Sequence, residues 1–136
     1  MSDCGFDHLA AADCLVLPSR AEPFGLVIGE ALAAGCGVVA SGACGAVPDL
    51  LGGREAGLIV PPGDAGALHA ALARVCADPY LRARMRADAP AAIAGWSSAD
   101  WASQLCTLAE RLTQDAPKTV REASSAPAPN RKAKRA

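Results

Sequence analysis

Three short, unbroken apolar runs constrain this chain more than any other feature: Cys14–Leu17 (CLVL), Gly37–Ala40 (GVVA) and Gly57–Val60 (GLIV). None alternates with polar positions, the pattern of strands covered on both faces. Between the first two lies a helical segment, Gly25–Ala34, with Leu26, Val27, Glu30, Ala31 and Ala34 at helical spacing and Gly35 as its stop. Strands alternating with helices at this spacing form parallel βαβ units, so the expected class is α/β with a three-stranded parallel sheet. Three strands are few for a doubly wound sheet. The chain also opens on a helical segment, residues 6–12, with no strand before it. The pattern therefore reads as the second half of a domain.

The rest of the chain is helical in character. Val47–Leu51 reads as a short helix begun by Pro48, which suits a first helical turn. Asp64 is placed to cap a helix over Ala65–Ala77, with Leu68, Leu72, Val75 and Cys76 on one face. A further helix starts at Pro79, and Pro90 is expected to end or kink it. Trp96 and Trp101 flank SSAD, where Ser97 or Ser98 caps a last helix running to about Gln114. Residues 1–115 are thus expected to form the folded part. Residues 116–136 are Pro, Ala, Ser and basic residues without apolar period, a disordered tail.

Apolar residues make up 51% of the 136 but aromatics only 4%, so the core must be built from Ala, Val, Leu and Ile. The net charge of −1 conceals an asymmetry: the tail holds six Lys or Arg against one acid, leaving residues 1–115 at −6. A short basic tail without aromatics is usually a solvated end, and no nucleic-acid partner is expected. Six cysteines include no CxxC pair, and His8 and His69 do not complete a metal-ligand set with them. Cys14 and Cys36 sit in apolar surroundings, where Cys behaves as a small hydrophobe. The start of the sequence lacks a basic n-region and long apolar run, and no stretch is long and apolar enough for a membrane span. The expected setting is a reduced cytoplasm.

In open parallel sheets ligands bind beyond the carboxyl ends of the strands, where helix N-termini point. Three loops meet that description: Ser19–Gly25, Ser41–Val47 and Pro61–Asp64. The first runs directly into a helix. Backbone N–H groups at Gly25, Leu26 and Val27, with the helix dipole behind them, suit an anion or a ring of hydroxyls. Two acids bracket this loop, Glu22 outside the helix because Pro23 holds it extended, and Glu30 inside it. Two carboxylates can each accept from vicinal hydroxyls, as on a ribose or hexose. Acids near a helix start also serve as dipole compensation or as a solvated face. Ile28, Gly29, Ala31 and Leu32 around Glu30 are a poor setting for the latter. Arg20 and Arg54 read as solvated surface charges, as do Arg82, Arg84 and Arg86 along one helix.

The stretch PSRAEPFGLVIGEALAAG resembles the E-x7-E region of the group 1 (family 4) glycosyltransferases, retaining nucleotide-sugar enzymes with two Rossmann-like domains. Its neighbours match in order: ADCLVLPS before it, then AAGCGVVAS, CGAVPDLL, GLIVPPGDAGAL and a late Trp96. The resemblance covers about residues 8–112. It implies a Rossmann-like half domain from the C-terminal, donor-binding side of a glycosyltransferase B-type fold. It implies that Glu30 binds the donor ribose and that Glu22 lies beside the donor sugar, with a more direct catalytic part for Glu22 as a further expectation. Amides around Phe24, Gly25 and Leu26 would contact the sugar and diphosphate. The implied substrate is a nucleotide-diphospho-sugar, with no metal and no other cofactor.

Two departures stand out. Gly37 occupies a place where the family commonly has Pro, and the Gly-Gly-x-Pro-Glu pattern appears as CGAVPDLL, with Asp49 for Glu. The acceptor-binding domain and the first part of the donor domain have no counterpart in these residues. The sequence thus reads as a fragment that binds a donor for transfer to an unknown acceptor, incomplete alone and served by a separate chain supplying the N-terminal domain. The alternative is an inactive truncated remnant or an interaction subunit.

Overall fold

The computed structural model describes residues 4–115, which divide into two compact units, 4–94 and 95–115; the tail expected to be disordered lies outside the described residues. The first unit contains α1 (Cys4–Ala11), β1 (Cys14–Leu17), α2 (Leu26–Ala33), β2 (Gly37–Ser41), α3 (Val47–Leu50), β3 (Gly57–Val60), α4 (Ala65–Ala77) and α5 (Pro79–Ile93). The three apolar runs form the expected parallel sheet, in the order β1-β2-β3. Cys14 pairs with Gly37 and Val38 with Gly57, so the strands march across the sheet in chain order.

Only the central strand is covered throughout. Every residue of β2 is buried, whereas Val16 in β1 is 39% exposed and Ile59 in β3 is 48% exposed. The expectation that all three strands are covered on both faces therefore holds for β2 alone. The outer two are edges, and a continuous apolar run carries no mark of whether a neighbour lies beside it.

Helices α4 and α5 build the main core, where Val75, Ala71, Leu81 and Met85 pack on Val39 and Val60. Asp64 caps α4 as its sequence position foretells, accepting from Ala67 N at 2.8 Å, and Asp78 caps α5 through Tyr80 N and Leu81 N. Pro90 neither ends nor splits α5, which continues to Ile93. The seam Leu81, Met85, Ala89, Ala92 stays buried through and past the proline. With a single turn remaining, that burial offsets the one backbone hydrogen bond Pro cannot donate.

Helix α5 also runs across the amino ends of all three strands. Arg86 Nη2 donates to Ala12 O just before β1, at 3.4 Å. A Cβ on Gly37, the first residue of β2, would lie 2.8 Å from Met85 Cε and 3.0 Å from its Cβ. Asp88 Oδ2 accepts from Glu55 N (2.8 Å) and Ala56 N (3.0 Å), just before β3. Arg82, expected on a solvated face, is half-buried, and its Nη1 donates to Val75 O (2.6 Å) and Cys76 O (2.9 Å) at the end of α4. The guanidinium reaches the carbonyls that a helix C-terminus leaves without partners. Arg84 fits the solvated reading, pairing with Glu55 at the surface.

The second unit is α6 (Ser98–Asp115), opened by Ser97. Ser97 Oγ accepts from Asp100 N at 3.2 Å and Asp100 Oδ2 accepts from Ser97 N at 3.0 Å, a reciprocal cap. Among the described residues no helix is long and apolar enough to cross a membrane.

Candidate functional site

With α5 drawn across the amino ends of the strands, the loops at their carboxyl ends are left to meet one another. The loop after β1 is extended at Glu22, as Pro23 requires, and there it forms a parallel bridge with Cys44 in the loop after β2. Three main-chain bonds hold the two loops: Glu22 N to Ala43 O (3.3 Å), Gly45 N to Glu22 O (3.1 Å) and Ala46 N to Phe24 O (2.8 Å). Ser41, 1% exposed at the end of β2, accepts from Ala43 N at 3.1 Å and fixes the second loop from beneath.

Glu22 is half-buried, and its Oε1 accepts from Phe24 N at 3.4 Å. Its carboxylate lies close enough to Cys44 to add to burial, the larger cause, in raising that thiol's pKa. Gly25 then turns the chain into α2 at φ +91, a left-handed conformation that L side chains rarely adopt. A Cβ there would also crowd Ile28 Cδ1 (3.3 Å), Glu22 Cγ (3.4 Å) and Leu17 Cδ2 (3.4 Å). Helix α2 starts with no side chain capping its amino end and no acid in its first turn. Glu22, Phe24, Gly25 and Leu26 thus form one contiguous patch around that helix start.

Glu30 lies farther along α2. Its side chain is exposed, contrary to the expectation drawn from its apolar neighbours. Ile28, Ala31 and Leu32 take the buried face of this eight-residue helix. Leu26 and Glu30, one turn apart, share the outward face. Glu30 borders a shallow groove with Gly5, Phe6 and Leu9 of α1. A separate apolar depression, lined by Pro18, Val60, Pro61, Gly63, Asp64, Ala65 and Leu68, lies at the carboxyl ends of β1 and β3. Arg20, Arg54, His8 and His69 are all exposed. Among the described residues no three His, Cys, Asp or Glu side chains gather as a metal-ligand set.

The loop clamp escaped sequence reasoning. Its signal was the small-residue run Gly42-Ala43-Cys44-Gly45-Ala46, where small side chains let two backbones approach. Asp88 carried no signal beyond its place on a helix.

Residues 7–92 match the family described as glycosyl transferases group 1. A D-inositol 3-phosphate glycosyltransferase of Corynebacterium efficiens is 38% identical over 103 residues, 76% of this chain and 24% of that protein. Its counterpart in Saccharomonospora viridis is 44% identical over 73 residues, 54% of this chain and 17% of that protein. Among solved structures, a sucrose-phosphate synthase from Thermosynechococcus elongatus matches with a TM-score of 0.70 at 35% identity, over 80% of this chain and 27% of that one. The chain spans about a quarter, or less, of the length of these curated relatives. The matched stretch contains the whole three-stranded, Rossmann-like sheet and the patch at its carboxyl end. On that ground the chain belongs to the group 1 glycosyl transferases.

Proposed function

We propose that this chain forms the donor-facing part of a retaining glycosyltransferase that takes a nucleotide-diphospho-sugar. The observation that carries the reading is the patch from Glu22 to Leu26, held by the loop clamp against an uncapped helix start beyond the carboxyl ends of the strands. In this reading the amides of Phe24, Gly25 and Leu26, backed by the α2 dipole, face the donor sugar and diphosphate. Glu22 accepts from the sugar hydroxyls. Its bond from Phe24 N is at the long end for a hydrogen bond, so a donor hydroxyl can take that place at little cost. Glu30, open to solvent on the outer face of α2, accepts from the ribose hydroxyls. Stabilisation of the departing diphosphate is assigned to aligned main-chain dipoles rather than to a metal.

The acceptor-binding domain and the rest of the donor domain are proposed to be supplied by a separate chain or segment, in keeping with the fraction of its relatives that this chain spans. The exposed edge at Val16 favours a second reading: an interaction subunit, or an inactive remnant. Ligand-observed NMR relaxation with UDP-, GDP- and ADP-glucose separates the two. The donor reading expects line broadening of the ribose and sugar resonances of at least one compound at millimolar concentration. Unchanged relaxation with all three would contradict it and leave the second reading.

A further inference from the structure

We infer that Gly45 is the positioning residue that sets where Glu22 and the first turn of α2 stand. The inference rests on the donor reading for its functional consequence, and on the loop clamp alone for its structural one. A Cβ on Gly45 would overlap the carbonyl oxygen of Pro23 and come within 3.1 Å of Pro23 C and 3.4 Å of Phe24 Cα. All three are backbone atoms, so no rotamer change relieves the crowding. The proline ring, with its fixed φ, also denies the loop an easy swing. Any side chain at position 45 must push the Glu22–Phe24 segment outward, against the bonds that Gly45 N and Ala46 N donate to it.

The displacement does not stop at the loop. Gly25 sits against the stem of Glu22 and starts α2, so a shift of Glu22 is passed to the helix start whose amides face the ligand. From the other side, Ser41 ties Ala43 to the buried end of β2, which makes the second loop the fixed jaw and the first loop the moving one. Glycine at 45 thus permits an approach close enough to put both the carboxylate and the helix start on one ligand. A shift of only about 1 Å in such a site is enough to cost about a hundredfold in function.

The test uses the full 136-residue chain, labelled with 15N, as wild type and as Gly45→Ala, Gly52→Ala and Ser41→Ala. Gly52→Ala is the matched control, since a Cβ there would overlap the Pro48 carbonyl oxygen of α3 rather than the Glu22 loop. Gly45→Ala is expected to shift the amides of Glu22, Phe24 and Gly25 while Val38–Ala40 stay in place. It is also expected to weaken titration by whichever of UDP-, GDP- or ADP-glucose the wild type binds by tenfold or more. Gly52→Ala is expected to lower the melting temperature comparably while sparing those amides and the titration. Should Gly45→Ala fail to fold, Ser41→Ala reads the same device, with smaller shifts at the same amides and a loss of about threefold. The inference is overturned if the Glu22, Phe24 and Gly25 amides of Gly45→Ala, or failing that of Ser41→Ala, move no more than those of Gly52→Ala. A wild type that titrates with none of the three compounds would sink the donor reading, while the amide comparison still decides the positioning role.

Discussion

Asp88 is one carboxylate that accepts two main-chain N–H groups, at Glu55 and the buried Ala56, and so fixes the chain as it enters β3. Removing a charged acceptor from such groups costs about 1–3 kcal/mol. Asp88→Ala is therefore expected to lower the melting temperature by several degrees, and an unchanged thermal unfolding curve would contradict the role. In the sequence Asp88 is indistinguishable from any helix-surface acid, because its partners lie more than thirty positions away. Cys14 and Cys36 were legible as small hydrophobes, and their titration follows from that burial. Cys76, expected on the apolar face of α4, is exposed because it lies one position past the buried Val75. Burial first, then the neighbouring Cys36, pushes the Cys14 thiol from 9.0 up to about 11, and burial raises Cys36 as well. At pH 8 iodoacetamide should label the exposed Cys76 and Cys106 while sparing Cys14 and Cys36; equal labelling rates would contradict this. Between pH 9 and 11 the folded chain binds the Cys14 proton more tightly than the unfolded chain does. Stability from this group is therefore intact below 9 and falls as pH rises through that window. Glu22 was placed correctly outside the helix by Pro23, a local effect. The exposure of Glu30 was misread because neighbours in sequence are not neighbours on a helix face.

At the scale of elements, all three strands, the cap of α4 and the start of α5 were readable, since run length, Asp64 and Pro79 are local signals. What could not be read was coverage, which depends on what lies beside β1 and β3, and the passage of α5 through Pro90, which tertiary burial decides. The crossing of α5 over the amino ends of the strands was equally hidden, although it sets the tight contact between Gly37 and Met85. Met85 is fully buried, and Met85→Ala is expected to cost about 2–5 kcal/mol. Gly37→Ala should cost about 1–3 kcal/mol through overpacking against Met85. Because removing Met85 Cε opens the space that the new methyl needs, the double variant should be less destabilised than the sum of the two by about 0.5 kcal/mol or more. Strict additivity in denaturant unfolding would mean that the two sites do not meet.

For the molecule as a whole, α5 crosses the amino ends of the strands, and the patch from Glu22 to Leu26 lies at the opposite, carboxyl end of the sheet. The same sheet has two edges, with Val16 and Ile59 partly exposed along them. Such edges promote association, and a lysine on one blunts it. Sedimentation of the purified chain should show mass rising with concentration, and Val16→Lys should reduce that rise; a monomer at all concentrations would contradict the prediction. The family was legible in the order of the sequence motifs, whereas the loop clamp was not, because a bridge between loops leaves no periodicity in the sequence. The central proposal is that the Glu22–Leu26 patch, together with Glu30 on the outward face of α2, holds a nucleotide sugar. An amide-resolved NMR titration of the wild type and Glu30→Ala with UDP-, GDP- and ADP-glucose tests this most directly. Shifts centred on Phe24–Val27, weakened in Glu30→Ala by about 1.5–3 kcal/mol, or roughly 10- to 150-fold, are the predicted result. Shifts centred elsewhere, or an affinity that Glu30→Ala leaves untouched, would contradict it.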